Sequence, residues 1–270
     1  LAEKKKQRLD LLLVERGFAD DIEQARRLIG SGCIQVGGQT CDKAGSPVAT
    51  GAQITAKSRK RYVSRGGDKL ETGLRGLDIV PLDCVCADIG SSTGGFTDCL
   101  LQNGASKVYC VDVGYGLLDW KLRQDKRVVV LERTNARHLT PQHIPEPIDL
   151  AVIDASFISL QPLLPPLLPL FRSAVRILAL VKPQFQLPRG LVAAGGVVSD
   201  TALHRQAVDM VRQFGQELGL HCERVVASSV LGTKGNQEFF MLLTRSRETN
   251  ENGLELLDQG DRDDVPTAAD

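Results

Sequence analysis

The sequence predicts an α/β protein whose doubly wound, mostly parallel sheet follows a small N-terminal α+β domain. Three observations lead to this prediction. Beyond residue 68, short apolar runs alternate with helix-like segments, as in consecutive βαβ units. A glycine-rich turn at 90–95 joins one apolar run to the start of a helix. Residues 1–57 instead combine two short helical patterns with alternating segments punctuated by glycine.

The N-terminal segment contains start and stop signals for its elements. The pattern Asp20-x-x-Glu23 predicts a capping box, and Gly37-Gly38 predicts a hairpin turn. The predicted elements are helices over 8–16 and from near 20 to 30–32, and strands over 33–36 and 52–55.

The larger segment predicts seven strands and five helices. The strands are at 85–88, 108–113, 128–131, 150–154, 176–181, 223–228 and 239–243. The helices begin near 68, 95, 118, 158 and 200. In folds of this kind, ligands bind outside the carboxyl ends of the parallel strands.

Composition is that of an ordinary globular protein. Its 270 residues, 42% of them apolar, suffice for one to two buried cores. The apolar run 160–170 is broken by four prolines, and the charged start lacks the apolar block of a secretion signal, so no membrane span or leader is predicted. Seven cysteines, mostly inside apolar runs, indicate reduced thiols and a cytoplasmic location. Without Cys-x-x-Cys spacing and with only four histidines, no metal site is predicted.

The charge is unevenly distributed although the net charge is zero. Residues 1–69 carry 14 Lys and Arg against 8 Asp and Glu, whereas acids dominate 247–270, where we predict a disordered tail. A basic front favours a polyanion partner, and a solvated charged face is the alternative interpretation.

Several motifs of the N-terminal segment occur together. They are Arg8-Leu-Asp, Ala25-Arg-Arg-Leu-Ile29, Gly32-x-Ile-x-Val-x-Gly38 and Pro47-x-x-x-Gly51. This pattern resembles an S4-like RNA-binding domain, which holds structured RNA by shape and phosphate contacts. The resemblance places Arg8, Arg26, Arg27 and Lys43 on the RNA face, although each could be a solvated helix residue.

A basic linker is predicted at 58–67, where Arg59, Arg61 and Arg65 are candidate RNA contacts. Tyr62 is available there to stack on a base or to pack against the protein. A connector that only adds solubility is the alternative.

The glycine-rich turn reads Asp88-Ile-Gly-Ser-Ser-Thr-Gly-Gly-Phe-Thr97. Gly90 lets the chain turn tightly, and Gly94 and Gly95 let the backbone approach a ligand without an intruding Cβ. The spacing differs from G-x-G-x-x-G and resembles the S-adenosylmethionine corner of Rossmann-like class I methyltransferases. A tight strand-to-helix corner without a ligand is the alternative. The residues predicted to contact the cofactor here are Asp88, Gly90, Ser91, Ser92, Thr93, Gly94, Gly95 and Phe96.

Two further strand ends are predicted to complete the cofactor site. Asp112 ends the second strand, where an acid accepts hydrogen bonds from a ribose, and Val113 follows it. Asn135 and Ala136 follow the third strand, where adenine lies in such folds. An ordinary capping or turn role is the alternative for both.

Four charged residues are predicted at the same sheet edge. Asp154 and Lys182 end apolar strands, Glu238 precedes the last one, and Lys69 opens the larger segment. Charges placed directly after buried strands are costly unless they face a cleft or a partner, although solvent-facing caps are also common there. Such a cluster could hold one lysine partly neutral, as a general base requires.

Five motifs are more specific together than any is alone. They are Tyr62-Val-Ser-Arg-Gly-Gly-x-Lys-Leu70, Asp88-x-Gly-Ser-Ser-Thr-Gly-Gly-Phe-Thr97, Asp154-Ala-Ser-Phe-Ile-Ser159, Val181-Lys-Pro-Gln-Phe185 and Gly235-Asn-Gln-Glu-Phe239. They resemble the TlyA (hemolysin A) family of FtsJ-like RNA ribose methyltransferases. Over 8–243, the resemblance implies S-adenosylmethionine as cofactor, ribosomal RNA in ribosomes or their subunits as partner, and methylation of a cytidine 2′-oxygen. It implies the catalytic tetrad Lys69, Asp154, Lys182 and Glu238, within a methyltransferase domain at 68–246.

Three alternative functions compete with this interpretation of the sequence. A pore-forming or hemolytic protein is suggested by the family's older name, but the chain shows neither a span nor a strongly amphipathic basic helix. The glycine spacing argues against a nicotinamide-dependent oxidoreductase. An intact tetrad argues against a non-catalytic RNA-binding protein.

The small-residue segment 186–198 is either a mobile loop over RNA or a plain connection.

Overall fold

A computed structural model describes residues 5–56, 61–172 and 174–246. Within them, two regions have separate hydrophobic cores, one formed by residues 9–54 and the other by the central sheet and its helices. The predicted disordered tail at 247–270 lies outside the described residues.

The N-terminal region is a small α+β unit. Strand β1 (Lys6–Arg8) pairs antiparallel with β4 (Pro47–Ala49), and helices α1 (Leu9–Glu15) and α2 (Ile22–Gly30) follow β1. A second antiparallel sheet joins β2 (Ile34–Val36), β3 (Gln39–Thr40) and β5 (Ile54–Ala56). Apolar faces of both helices are buried against β2, β4 and β5 through Leu9, Leu13, Ala25, Ile29, Ile34, Val48 and Ile54.

Local signals in this region were largely predicted correctly. Gly37 and Gly38 form a two-residue hairpin turn with φ of 58° and 83°, as expected where both central residues need positive φ. The predicted capping box is wrong by one residue. Asp21, not Asp20, caps α2, because its side chain accepts from the Gln24 N–H at 2.6 Å.

The second region contains one seven-stranded sheet. Its strands are β6 (Val85–Ile89), β7 (Lys107–Val111), β8 (Val128–Leu131), β9 (Leu150–Ile153), β10 (Val175–Val181), β11 (His221–Ala227) and β12 (Phe239–Arg245). Their order is β11-β12-β10-β9-β6-β7-β8, and β12 runs antiparallel to both of its neighbours. All seven predicted strands are present.

Helices cover both faces of this sheet. They are α3 (Arg65–Gly76), α4 (Gly95–Gln102), α5 (Trp120–Gln124), α6 (Pro183–Gln186) and α7 (Thr201–Glu217). One face packs against α3 and α4, and the other packs against α7 and the 160–170 segment. The prediction of a doubly wound α/β sheet is therefore confirmed.

Two sequence predictions about helices need correction. The helix predicted near 158 is replaced by two 3-10 segments, Gln161–Leu163 and Pro165–Leu170, because its four prolines remove backbone donors that an α-helix requires. Helix α3 begins at Arg65 rather than near 68, so the last three residues of the predicted linker are helical. Ser64 caps this helix by accepting from the Gly66 N–H at 3.3 Å.

Across the described part of the chain, none of the helices combines the length and the apolar content needed to traverse a bilayer.

Candidate active site

Three strand ends meet at one edge of the sheet. In the parallel ladders, Ile89 pairs with Val111 on one side and with Ile153 on the other. The next residue of each strand, Gly90, Asp112 and Asp154, therefore lies at the same level, at the carboxyl edge.

The glycine turn is shaped chiefly by protein contacts. Gly90 has φ of 83°, and a Cβ there would lie 2.8 Å from the Asp154 carbonyl oxygen. A Cβ at Gly94 would meet Leu118 and Leu122, and one at Gly95 would meet Ser64 and the start of α3. Close packing between elements therefore requires glycine at 94 and 95, whether or not a ligand approaches the turn.

A cavity of about 410 Å³ opens beside this turn, within the size range of small-molecule sites. Gly90, Ser92, Asp112, Val113, Asn135 and Ala136 line it, so six of the predicted cofactor residues are brought together. The Asp112 carboxylate accepts from the Ser92 N–H at 2.8 Å and from the Gly114 N–H at 2.7 Å. These bonds fix the carboxylate at the cavity wall.

An exposed aromatic residue at the mouth of this cavity was missed by the sequence reasoning. Phe157 is 91% exposed and has φ of 64°, a strained conformation for a bulky residue. Its ring packs on Phe185 at a centroid distance of 5.3 Å. The motif after Asp154 contains this phenylalanine, but only the folded backbone reveals that it faces solvent.

A second cavity of about 210 Å³ adjoins the first and shares Gly90, Ser92 and Asp154 with it. Among the predicted residues, Ser91, Thr93, Gly95, Phe96, Arg65 and Lys69 also line it. Thr233 contributes from the loop before β12, and no sequence signal pointed to it. Arg65, predicted as a linker residue, therefore lies at this cavity beside the carboxyl edge of the sheet.

The four predicted catalytic residues form two ion pairs. Lys182 Nζ lies 2.6 Å from Asp154 Oδ1 and donates to Ser156 Oγ at 2.9 Å. Lys69 Nζ donates to Glu238 Oε2 at 2.6 Å. Asp154 and Lys69, one from each pair, line the smaller cavity. All four side chains are mostly buried, and their mutual pairing offsets the cost of desolvation.

Sheet register explains why the two pairs are neighbours. Val181 pairs with Phe239 at the end of the β10–β12 ladder, so Lys182 and Glu238 occupy the next opposing positions. The antiparallel last strand thereby delivers an acid to the carboxyl edge of the sheet. A Cβ on Gly232 would lie 2.5 Å from Glu238 Oε1, so the 232–235 turn closes tightly over this carboxylate.

Asp88 lies beneath the turn and lines neither cavity. It is completely buried and accepts from Thr97 Oγ1 at 2.6 Å, while its Oδ1 has no hydrogen-bond partner among the described residues. Burial raises the pKa of this carboxyl to about 7. Its position fits support of the turn rather than direct ligand contact.

The predicted RNA-binding residues occupy different environments. Arg27 and Lys43 are exposed, whereas Arg8 and Arg26 are exposed but tied to the buried Asp10. Arg61 pairs with Glu71. Arg59 lies outside the described residues. Tyr62 is buried, because its ring packs directly over Gly67, and it is therefore not available to stack on a base.

The 186–198 segment is tied to the loop before β12. Asn236 donates to the Gly196 carbonyl at 2.8 Å and accepts from the Val198 N–H at 2.8 Å. Lys234 donates to the Gly195 carbonyl at 2.9 Å. These bonds connect the segment to the chain that carries Glu238.

The strand order, the glycine turn and the paired cavities at the carboxyl edge define a class I methyltransferase fold. The profile of the FtsJ-like methyltransferase family matches residues 62–245, and the S4 domain matches residues 7–54. The chain therefore belongs to the FtsJ-like methyltransferase family and carries an S4 domain at its N-terminal side.

Relatives match over nearly the whole length. The chain is 44% identical to the 16S/23S rRNA (cytidine-2'-O)-methyltransferase TlyA of Mycobacterium tuberculosis, covering 92% of this chain and 94% of that protein. It is 45% identical to YqxC of Bacillus subtilis, provisionally named an rRNA methyltransferase, covering 93% and 90% respectively. A solved structure from Streptococcus thermophilus, provisionally named a hemolysin, is 38% identical, with a TM-score of 0.68 and 90% of each chain covered.

The larger cavity fits S-adenosylmethionine, the methyl donor of this class. The Asp112 carboxylate retains acceptor capacity for ribose hydroxyls, because each oxygen uses one of its lone pairs on a backbone N–H. Leu117, Ile158 and Leu163 supply apolar walls suited to a base. Gly90 and Ser92 lead from this cavity into the smaller one, which Asp154 and Lys69 line.

Proposed function

We propose that this protein transfers a methyl group from S-adenosylmethionine to the 2′-oxygen of a cytidine in ribosomal RNA. One observation carries the proposal: Asp154 and Lys69, one member of each ion pair, line a cavity that shares Gly90 and Ser92 with the cofactor cavity. The activity for which the M. tuberculosis relative is named supports cytidine 2′-oxygen and ribosomal RNA as the target.

The proposed cofactor residues fall into two groups. Asp112 binds the ribose, and Val113, Asn135 and Ala136 surround the base. Ser91, Ser92, Thr93 and Phe96 border the smaller cavity, with Gly90, Gly94 and Gly95 shaping the turn and Asp88 supporting it from below. When bound, S-adenosylmethionine supplies an electrophilic methyl group on a sulfonium.

The protein's task is then to align and activate a ribose hydroxyl. Lys182 is the residue we propose to orient the hydroxyl, or to accept its proton once the ammonium has released its own, because it is the buried amine next to the cavity acid Asp154. Asp154 and Ser156 hold Lys182 in place. Lys69, held by Glu238, binds the target nucleotide from the other side of the cavity. Alignment of the methyl donor and the ribose hydroxyl can lower the barrier by roughly 7–11 kcal/mol. Proton transfer to a general base accelerates such reactions by only roughly 10²–10⁴-fold, which is a smaller reduction of the barrier. Positioning therefore makes the larger contribution to the rate.

RNA contacts surround the cavity. Arg65 lines the smaller cavity and lies close to any nucleotide that enters it. Phe157 offers an apolar platform at the mouth, where a base can stack, since base–aromatic stacking contributes about 1–3 kcal/mol per base. The S4 domain supplies more distant contacts through Arg8, Arg26, Arg27 and Lys43, and Arg59 and Arg61 follow it along the chain.

We further infer that the S4 domain spans residues 1–57, that 58–64 connects it to the catalytic region, and that 247–270 lies outside the catalytic unit. All seven cysteines are free thiols, which supports a reducing, cytoplasmic environment. The proposed partner is ribosomal RNA within ribosomes or their subunits.

Methyl transfer to separated ribosomal subunits tests the proposal. The protein is incubated with methyl-labelled S-adenosylmethionine and with subunits from a strain that lacks the modification, and the RNA is then digested to nucleosides. We expect label in 2′-O-methylcytidine. Label on a base, on protein only, or nowhere would contradict the proposal, and leakage of liposomes at the same protein concentration would favour a membrane-active function.

A further inference from the structure

Asp10 in helix α1 is a charged residue in the core of the S4 domain. Its side chain is 1% exposed, whereas the two arginines that contact it, Arg8 and Arg26, are 53% and 57% exposed. A buried carboxylate is costly unless its oxygens are fully paired.

Four hydrogen bonds occupy the acceptor sites of the Asp10 carboxylate. Arg8 donates through Nε to Oδ1 at 3.0 Å and through Nη2 to Oδ2 at 2.7 Å. Arg26 Nε donates to Oδ2 at 3.3 Å, and the Leu11 N–H donates to Oδ1 at 3.0 Å. A carboxylate has about four acceptor sites, so none is left for a ligand. The hydrogen bonds from Arg8 hold the pKa of Asp10 at about 2, which keeps it charged at any physiological pH.

The two arginines keep free donors. A guanidinium has five N–H donors. Arg8 uses one edge for the carboxylate, which leaves its Nη1 group free in these contacts, and Arg26 uses only Nε. Because Arg8 Nη2 and Arg26 Nε share one oxygen, the two nitrogens lie no more than about 6 Å apart. The cluster therefore presents two fixed guanidinium groups at the surface.

Arg27, unlike Arg8 and Arg26, pairs with an exposed acid. Its partner is Glu23, and the charged groups of the two side chains are 3.7 Å apart. Such a surface pair holds its arginine weakly. The bidentate contact from Arg8 to a buried acid is more specific, and lysine cannot reproduce it.

We propose that Asp10 is a positioning residue for RNA binding, which holds Arg8 and Arg26 so that their free edges contact neighbouring phosphates. The inference rests on the proposed function, in which this face of the S4 domain binds ribosomal RNA. Its physical basis is that the two arginine side chains lose their conformational entropy when the protein folds rather than when RNA binds.

The proposal predicts that Asp10→Asn changes the affinity for RNA in the direction opposite to that expected from charge alone. Asp10 is negative and lies beside the RNA face, so simple electrostatics predicts that Asp10→Asn tightens binding to a polyanion. If Asp10 positions the arginines, Asp10→Asn weakens RNA binding, although the loss of the negative charge makes the net charge of the domain more positive by one. We expect about a tenfold higher Kd.

A second variant tests the same contact without altering the buried acid. Arg8→Lys keeps the charge but loses the bidentate pairing, and we expect about a tenfold higher Kd for it as well. Arg224→Lys is the matched control, because Arg224 is also a half-exposed arginine paired with an aspartate, Asp78, at 2.8 Å. This control is expected to bind RNA like the wild type.

Binding of the full chain to unmodified ribosomal subunits is measured over a salt series. A lost phosphate contact lowers the slope of log Kd against log salt by about one, which a purely structural defect does not do. Asp10→Asn and Arg8→Lys are expected to be non-additive, because they disrupt one contact. Affinity for S-adenosylmethionine and circular dichroism are recorded for each variant as folding controls.

The outcomes separate the two proposals. If Arg8→Ala and Arg26→Ala weaken binding while Arg8→Lys and Asp10→Asn bind like the wild type or tighter, Asp10 does not position them and the RNA face stands. Should Asp10→Asn fail to fold, Arg8→Lys alone decides between charge and geometry. If Arg8→Ala and Arg26→Ala have no effect, this face does not bind RNA and the inference about Asp10 is overturned, whereas the proposed methyl transfer is decided separately by the labelled nucleoside.

Discussion

Lys182 Nζ lies 2.6 Å from Asp154 Oδ1, although the two residues follow different strands of the sheet. Strands β9 and β10 are parallel neighbours, so their carboxyl ends deliver the amine and the acid to one edge. The pair adjoins the cavity that continues into the proposed cofactor site.

Asp112→Asn is expected to weaken cofactor binding. The carboxylate accepts from two backbone N–H groups, whereas an amide oxygen can replace only one of these contacts and the amide NH₂ opposes the other donor. We expect about a tenfold higher Kd for S-adenosylmethionine, measured by calorimetry. Asp119→Asn is the control, because Asp119 caps helix α5 and lines neither cavity. Equal affinities of wild type and Asp112→Asn would remove Asp112 from the site.

Glu238→Gln is expected to cost both stability and activity. It leaves the mostly buried Lys69 ammonium without its ionised partner, and breaking a buried pair costs about 3–5 kcal/mol. Urea unfolding measures this loss. Lys69→Met combined with Glu238→Leu should recover much of the stability, because apolar pairs replace buried ion pairs well, but no methyl transfer. A double variant that remains active would show that the pair only stabilises the fold.

Gly90→Ala is expected to disrupt the site directly. Its positive φ is strained for alanine by about 1–2 kcal/mol, and the new Cβ would lie 2.8 Å from the Asp154 carbonyl oxygen. We expect loss of cofactor binding in addition to a lower melting temperature. Gly219→Ala is a matched control, with φ of 71° and only an ordinary 3.9 Å contact, so it should carry the backbone strain alone. Similar cofactor affinities in the two variants would contradict this account.

Asp88 is expected to make stability depend on pH. Its pKa is raised from 3.8 in the unfolded chain to about 7 in the folded protein, because burial disfavours the carboxylate. The folded state therefore binds the proton more tightly, and the stabilising contribution of neutral Asp88 is lost as pH rises from about 4 through 7. The slope reaches at most about 1.4 kcal/mol per pH unit.

The measurement for Asp88 compares wild type with Asp88→Asn in urea unfolding between pH 5 and pH 8. Relative to Asp88→Asn, the wild type should lose stability as pH rises, because asparagine does not titrate. A pH-independent difference between the two proteins would show that Asp88 remains in one protonation state in both folded and unfolded chains.

Sequence periodicity predicted the second region well because its strands are short, apolar and separated by helices. All strands from β6 to β12 were placed within two residues at each end. Charged residues beside β9, β10 and β12 indicated three members of the two ion pairs, whereas Lys69 lies in helix α3. The 158–170 segment was mispredicted because its leucines have helical spacing while its prolines prevent an α-helix.

Other parts of the site depend on contacts that no local pattern contains. Gly94 and Gly95 are required by the leucines and the helix that pack on them. Phe157 could not be distinguished from a core phenylalanine before its backbone conformation was known. Tyr62 is an aromatic residue in a basic segment, as expected of a residue that stacks on a base, yet its ring is buried over Gly67. The sequence gives residue types, and tertiary packing decides which of them face the cavity.

The most direct test of the central claim is single-turnover methyl transfer to ribosomal subunits by Lys182→Ala, with cofactor affinity measured on the same preparation. We predict that transfer falls by roughly 10²–10⁴-fold while the Kd for S-adenosylmethionine stays within about threefold of the wild type. Transfer at the wild-type rate would exclude Lys182 from the reaction, and a parallel loss of cofactor binding would assign it to binding instead of activation.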